Sequence, residues 1–487
     1  MRIYLLNAPF VHNYVRCGRW QGVRAHGKTL WYPIWLGYAC GILEEDGNKV
    51  QLVDAVAKKW DILQTVEDMS MFRPKFLVVE SNFTSISNDL EIVRAFKSRM
   101  PETAVAVVGP PASRMAEEIL ADPAVDFVAR REYDFTLRDL VRTLRKGSDI
   151  GSVRGLSFKR GNEIIHNPDR DYLNSVDLDT IPFLAKAIKK HLGVSSYFLD
   201  HTLHPMIQIF TGRGCPAQCT FCSWPKNMMG HRYRVRSIAN VVDELEWIQA
   251  NLSEVREVFF EDDTFSIDNR RVAAIADEIK RRNLRLIWSC NARATLDYET
   301  MRKMRAAGCR LLVVGYESGD DGILKTIKKG LTTERAQRFT HDAKRAGLLI
   351  LGDFIVGLPG ETRKTVEQTR RFILGAVKPD FLQVAVASPI PGTEFFDWAC
   401  AQGYLLTNDM KQSIDEHGFM RCILRYPSLS ESEIEHFAYD LKKEYYVSLR
   451  YLWMTLKRIF RKNGWHELRM LWNSARNFAR YLLKHRS

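Results

Sequence analysis

The chain has 487 residues, 46% hydrophobic and 26% charged, an ordinary globular composition with room for two or three domains of roughly 100–200 residues each. No uninterrupted apolar run reaches about 18 residues, which excludes a transmembrane helix, and Met1 opens directly into the strand-like run Ile3–Leu6, so no targeting peptide is expected. The net charge of +13 is uneven: Leu441–Ser487 holds twelve basic and two acidic residues, a block that points to an acidic partner surface, membrane or nucleic acid. The nine cysteines are no disulfide scaffold, because the chain is long and three of its thiols crowd together. A reducing cytoplasm is the expected setting.

Residues 1–145 alternate β-rich runs with helical patterns. Strands are expected at Arg2–Asn7, Val50–Asp54, Phe76–Glu80, Ala104–Val108 and Val125–Ala129, with helices such as Trp35–Glu45 and Asp89–Met100 between them. This alternation predicts an α/β fold, a doubly wound parallel sheet with helices on both faces. Ligands bind outside the carboxyl ends of such strands, and Gly109-Pro110-Pro111 sits at one of them. Residues 146–205 are rich in turn residues and read as a hairpin plus linker.

A second alternation spans 206–427. Strands are expected at Ile207–Thr211, Glu257–Phe260, Leu284–Ser289, Leu311–Tyr316, Leu348–Val356 and Phe381–Val386. Six strand–helix units fit a partial (β/α) barrel, whose functional residues stand at the carboxyl strand ends. Residues 428–487 form a basic helical extension. Leu449, Leu452, Trp453, Leu456, Ile459 and Phe460 recur at helical spacing, and Leu468, Leu471, Trp472, Ala475, Phe478 and Leu482 continue the face. Such helices lie in membrane interfaces or pack on a domain with a solvated charged face. No nucleic-acid fold or stacking platform is evident, so no nucleic-acid partner is expected.

The chemistry concentrates after the first barrel strand. Residues 211–224 place Cys215, Cys219 and Cys222 in a C-x3-C-x2-C spacing. Thiolates hold iron–sulfur clusters, usually four at a time; three leave one iron open to a small molecule. Gly212 and Gly214 are expected to admit a bulky cluster. Zinc prefers four ligands in paired spacings, and His231 is not at one. The remaining cysteines are scattered and read as small hydrophobes. Further polar residues fall at later strand ends: Asp262 after the second, Asn291 and Arg293 after the third, Glu317 and Ser318 after the fourth. Each also has a plain structural reading as a cap or a satisfied loop residue. Gly357–Thr362 lacks the Gly-Lys-Ser/Thr ending of a P-loop and binds no triphosphate.

The triplet, with Phe221 before its last cysteine, resembles the signature of the radical S-adenosylmethionine (SAM) superfamily. The resemblance implies a [4Fe–4S] cluster on Cys215, Cys219 and Cys222 that chelates SAM and cleaves it to a 5′-deoxyadenosyl radical, with electrons from a donor such as flavodoxin or ferredoxin. It also implies SAM contacts from Asp262 to the ammonium group and from Asn291, Arg293, Glu317 and Ser318, with Gly357–Thr362 bordering the adenine. Residues 1–145 are similar in layout to the cobalamin-binding domain that precedes this barrel in one large class. Val108-Gly109-Pro110-Pro111 stands where that class often has Gly-Gly-Pro-His, and Arg131-Glu132-Tyr133-Asp134 where it often has Gly-Glu-x-Glu. Gly109, Pro110 and Glu132 are thereby implied as cobalamin contacts. The chain has no Asp-x-His-x-x-Gly, so no histidine is offered as a cobalt ligand. A ligand-free domain is the other reading of this region.

Stretches such as Asp126–Arg130, Glu261–Phe265, Trp288–Asn291, Val314–Gly319, Ile327–Gly330 and Phe354–Thr362 resemble hopanoid-biosynthesis-associated radical SAM proteins. That resemblance implies ring contraction of a hopanoid-linked amino sugar to a cyclitol ether, at the inner face of the cell membrane. The alternatives are a cobalamin-dependent radical methylase acting on another lipid, cofactor or natural product, and a non-catalytic membrane-docked binding protein.

Overall fold

The computed structural model describes residues 1–10, 29–415 and 419–459. The first sheet has seven strands in the order β2-β1-β3-β4-β5-β6-β7. These are β1 (Arg2–Asn7), β2 (Lys49–Asp54), β3 (Phe76–Glu80), β4 (Ala104–Val108), β5 (Phe127–Ala129), β6 (Leu156–Arg160) and β7 (Glu163–His166). β1 to β5 are parallel, while β6 and β7 form an antiparallel hairpin on the β5 edge. The hairpin expected in 146–205 therefore extends this sheet.

The second sheet has six parallel strands in the order β15-β14-β13-β12-β11-β8, an open partial barrel. They are β8 (Met206–Ile209), β11 (Glu257–Phe260), β12 (Trp288–Ala292), β13 (Cys309–Glu317), β14 (Leu349–Val356) and β15 (Phe381–Val386). β12 starts at Trp288 rather than Leu284. Asn283 turns through a positive φ of 54° after the preceding helix, and of residues 284–287 Ile287 meets the sheet, its carbonyl accepting from Val258 N–H at 2.9 Å. A short antiparallel pair, β9 (Gly212–Arg213) and β10 (Arg234–Val235), brackets the cysteine loop.

Burial explains why both sheets form. β3 and β11 are buried at every position, as strands covered on both faces must be. Side chains alternate between two cores along β1: Tyr4 and Leu6 enter one, Ile3 and Leu5 the other. The second core runs on without a break into the barrel through Trp35, Phe210, Trp224 and Trp288. One face of the first sheet and the barrel thus share an interior.

Two buried ion pairs fix how the halves meet. Arg213 on β9 donates to Asp134 at 2.6 Å, with both side chains at most 2% exposed. Its guanidinium also lies 4.4 Å over the Trp35 ring and 5.1 Å from Tyr38. Arg234 on β10 binds Glu132 through both nitrogens at 2.8 Å and donates to the Leu173 and Met229 carbonyls at 2.7 Å. Asp134 opens the helix Asp134–Lys146, where the helix dipole favours its charge. The stretch after β5 therefore grips both ends of the cysteine loop.

The C-terminal helices pack on the outer barrel edge. Glu431–Val447 runs antiparallel to β15: Ile434 lies against Gly357 near the carboxyl ends, and the Tyr445 hydroxyl donates to the Pro379 carbonyl below. The helix Leu449–Ile459 follows, where Arg450 donates to the Lys378 carbonyl at 3.2 Å. It stands at the barrel end opposite the cysteines. The helical pattern expected from Leu468 to Leu482 lies outside the described residues. Among those described, no helix is long and apolar enough to cross a membrane.

Removing one partner of a buried pair leaves the other charge stranded, at a cost of about 3–5 kcal/mol. Asp134→Ala should show a loss of that size in urea unfolding. Asp171→Ala, which breaks the exposed pair with Arg154, should change stability by less than about 1 kcal/mol. Equal effects would mean that the buried pairs do not hold the halves together.

Candidate active site at the cysteine loop

The cysteine loop leaves the first barrel strand and is pinned on several sides. Cys215 N–H donates to the Gly230 carbonyl at 3.3 Å, and Thr220 N–H to the Ile327 carbonyl at 3.0 Å. Phe395 N–H donates to the Thr220 carbonyl at 3.1 Å. Cys222 N–H closes the turn on the Cys219 carbonyl at 3.2 Å. Gly212 and Gly214 are explained by the loop itself. A Cβ on Gly214, at φ +90°, would lie 2.3 Å from the Arg232 carbonyl oxygen, and one on Gly212 would lie 2.6 Å from the Tyr233 ring. The returning chain, not a cluster, demands glycine at these positions.

The thiol set fits a cluster better than a lone ion. Among the described residues, the only Cys, His and carboxylate group with ligand atoms all within 4.8 Å of one another is Cys40, Glu44 and His191. The sulfurs of Cys215, Cys219 and Cys222 are not all within that distance of one another, which is compatible with ligands to separate irons. Burial, with Asp263 and the neighbouring sulfurs, pushes up the Cys215 and Cys222 thiols, the latter to about 12. Such thiols ionise when a cation compensates them, which bound iron does.

Orphaned polar atoms mark the strand ends around the loop. The Asn291 amide nitrogen is buried at the end of β12 with no hydrogen-bond partner. The Thr264 hydroxyl, after β11, and Glu361 Oε1, after β14, are likewise buried and unpartnered, as is the Thr220 hydroxyl within the loop. Each such atom costs about 1–3 kcal/mol unless a ligand satisfies it. Arg293 places one guanidinium nitrogen 3.9 Å from Cys219 Sγ, and its other terminal nitrogen donates to the Lys329 carbonyl. These groups could hold SAM on an open iron.

Other expected contacts are spent elsewhere. Asp262 accepts from the Thr211 N–H and hydroxyl, both at 2.6 Å, and from the Tyr233 hydroxyl at 2.7 Å. It ties β11 to the cysteine loop. Ser318 faces the Thr369 hydroxyl at 3.2 Å and accepts from Asp320 N–H, a local helix contact. Glu317 is held at φ +67° in an ion pair with Lys329 at 2.5 Å, each side chain under a tenth exposed, so its charge is already matched. Glu132 is committed to Arg234 and to the Leu173 N–H.

Gly109 and Pro110 shape the seam between the halves. A Cβ on Gly109, at φ +102°, would lie 2.3 Å from the Ser81 carbonyl. The turn Pro110–Ser113 follows and packs on Pro225–Met229, just past the last cysteine. Ser113 donates to the Asn227 carbonyl at 2.6 Å, and Arg114 to the Asn227 side chain at 2.8 Å. The crest after β3 carries a buried, unpartnered Asn82 amide nitrogen. Trp35 and Trp224, 6.1 Å apart, each bury an indole N–H without a partner. A polar, ring-shaped group such as a corrin suits this seam.

Sequence reasoning missed Asn227, Lys329, Thr264 and Glu361 as site residues. Lys329, Thr264 and Glu361 left a trace, inside the stretches Ile327–Gly330, Glu261–Phe265 and Gly357–Thr362. Asn227 carries no signal, because its partners Ser113 and Arg114 come from the other half of the chain.

Replacing Cys215, Cys219 or Cys222 by Ala should abolish iron retention and 5′-deoxyadenosine formation, while Cys290→Ala, a core thiol, should keep both. Iron and sulfide assays with product chromatography decide this. A second prediction concerns Glu361, which burial pushes up from 4.5 to about 8 against the opposing pull of the Gly357 and Leu358 N–H groups. The folded protein then holds a proton that the unfolded chain releases, so this group's contribution to stability falls as pH rises from 4.5 towards 8. Glu361→Gln should flatten that decline in urea midpoints measured at pH 6 and pH 8. Parallel declines in both proteins would contradict the assignment.

Comparison with known proteins agrees with this geometry. The Radical SAM superfamily matches residues 209–373, and the B12 binding domain matches residues 20–141. An uncharacterized methyltransferase of Pyrococcus horikoshii is 30% identical over 383 residues, 78% of this chain and 81% of that protein. The hopanoid C-3 methylase of Methylococcus capsulatus is 25% identical over 403 residues, 81% of this chain and 73% of its own. The fold is that of the radical SAM methyltransferase TsrM from Kitasatospora setae, solved with cobalamin and a [4Fe–4S] cluster bound: TM-score 0.70 and 17% identity, covering 92% of this chain and 89% of that one. The chain belongs to the radical SAM enzymes that carry a B12-binding domain, and its cofactors are a [4Fe–4S] cluster, S-adenosylmethionine and cobalamin.

Proposed function

We propose that this enzyme is a cobalamin-dependent radical SAM methyltransferase acting on a carbon that ordinary polar methylation does not reach. The observation that carries the reading is the seam itself. The turn after β4 sits directly on the segment after Cys222, so the crest of the B12-binding sheet opens onto the cluster loop. When bound, the two cofactor systems supply radical hydrogen abstraction and a transferable methyl group. The chain's own part is to hold three thiolates, offer Asn291 and Arg293 at the strand ends, and exclude water with the Trp35, Tyr133, Phe210 and Trp224 cluster. The methyltransferase names of the relatives support methyl transfer over ring contraction of a hopanoid-linked amino sugar, since the hopanoid relative is itself a methylase.

Membrane contact belongs to this proposal in a changed form. Leu449, Leu452 and Leu456 are exposed, at 85%, 50% and 53%, on the first helix of the basic extension. Apolar burial yields about 25 cal/mol per Å², and each basic residue near an anionic surface adds on the order of 1 kcal/mol. The helix stands opposite the cysteines, so docking there anchors the enzyme without pressing the barrel mouth to the bilayer. The substrate then need not be a membrane lipid.

The test of methyl transfer is a comparison of extracts from deletion and complemented strains grown on trideuteromethyl methionine. One metabolite should carry the labelled methyl only when the gene is present, and should disappear with Cys219→Ala. A gene-dependent product with no labelled methyl would overturn the reading. For docking, the full chain should sediment with anionic liposomes, and truncation after Ser448 should weaken this several-fold. Equal sedimentation would remove the anchor.

A further inference from the structure

Arg293 stands at one corner of the thiol set with its surroundings fully specified. One terminal nitrogen lies 3.9 Å from Cys219 Sγ, and the other donates to the Lys329 carbonyl. Its backbone N–H donates to the Ser266 hydroxyl at 2.7 Å, and that hydroxyl donates back to the Arg293 carbonyl at 3.1 Å. The side chain is thus held at both ends and has no carboxylate partner in an ion pair among the described residues. The second cation nearby, Lys329, is matched at 2.5 Å by buried Glu317. Lys329 feels the charges of both Cys219 and Arg293, which places all three in one electrostatic neighbourhood. The cation that stands at the Cys219 sulfur is therefore Arg293, while the Asp263 carboxylate acts on Cys215 and Cys222.

We propose that Arg293 is a positioning residue that raises the reduction potential of the cluster by donating to the Cys219 sulfur. This rests on the cluster assignment but not on methyl transfer. The physical reason is general. One-electron reduction adds negative charge to the cluster, and a fixed cation or hydrogen-bond donor at a ligand sulfur stabilises that form more than the oxidised one. Low dielectric enlarges the effect, because Cys219 is buried. The Lys329–Glu317 pair serves the same arrangement as a scaffold: its backbone carbonyl fixes the guanidinium, while its own charges cancel. An Arg at this place does more than reach for a SAM carboxylate. It acts before SAM arrives.

The test reads the potential directly, with no substrate and no SAM present. Anaerobically reconstituted wild-type, Arg293→Met, Arg293→Gln and Arg293→Lys proteins are titrated with dithionite and followed by electron paramagnetic resonance. Each electron leaves dithionite, which is oxidised, and enters the cluster. Arg293→Met should lower the midpoint by at least a tenfold change in the one-electron equilibrium, about 59 mV. Arg293→Gln, which keeps a donor and loses the charge, should fall between, and Arg293→Lys should stay near wild type. If Arg293→Met loads no iron, Arg293→Gln carries the same comparison. Unchanged midpoints in the neutral variants would overturn the proposal, even where SAM cleavage is lost, because that pattern assigns Arg293 to SAM alone. A cluster missing from all three cysteine-intact neutral and charged variants would also overturn it, since Arg293 would then be needed for assembly rather than tuning.

Discussion

The structure depends on two buried ion pairs across one seam. Asp134 with Arg213, and Glu132 with Arg234, connect the chain after β5 to the strands on either side of the cysteine loop. Charges this deeply buried are weak sources of stability in themselves, because desolvation offsets most of their attraction. What they provide here is registration. Both arginines are saturated, one by aromatic faces and one by backbone carbonyls, so the loop has one place to sit. A shift of the loop would strand four charges at once.

From that registration the rest of the site follows. The loop is held from one side by β9 and β10, from below by the Ile327 carbonyl, and from the flank by Phe395. Strand ends then converge on it with unpartnered polar atoms, while the crest after β3 and β4 closes the other side. The carboxylates that look most available in the sequence are the ones the fold consumes. Asp262, Glu132 and Glu317 each brace a neighbour, and the groups left for ligands are amides, hydroxyls, one guanidinium and the Glu361 carboxyl. A site of this kind presents donors to a charged, oxygen-rich cofactor.

Much of the fold was legible because parallel strands covered on both faces announce themselves as short apolar runs. Val-rich segments such as Ala104–Val108 and Phe381–Val386 end where the pattern ends. Leu284–Leu286 misled for the same reason: the apolar spacing continues there, but the chain joins the sheet only from the Ile287 carbonyl onward. The cysteine triplet was legible because its chemistry is local in sequence. The partners of Glu132 and Ser318 were not, since Arg234 and Thr369 lie 102 and 51 residues away and a motif-like position says nothing about which partner takes the side chain. The amphipathic tail was read correctly as helical at its start; its place at the far end of the barrel came only from contacts with Lys378 and Pro379.

The central claim is that this seam couples SAM cleavage to methyl transfer, and its co-products test it most directly. Reconstituted enzyme, with and without cobalamin, is incubated with SAM, a reductant and a cell extract as the source of substrate. Methyl transfer consumes one SAM as methyl donor and another as radical source. The account therefore predicts S-adenosylhomocysteine and 5′-deoxyadenosine together, with the former strictly dependent on cobalamin. Sustained 5′-deoxyadenosine with no S-adenosylhomocysteine, whether or not cobalamin is supplied, would contradict it.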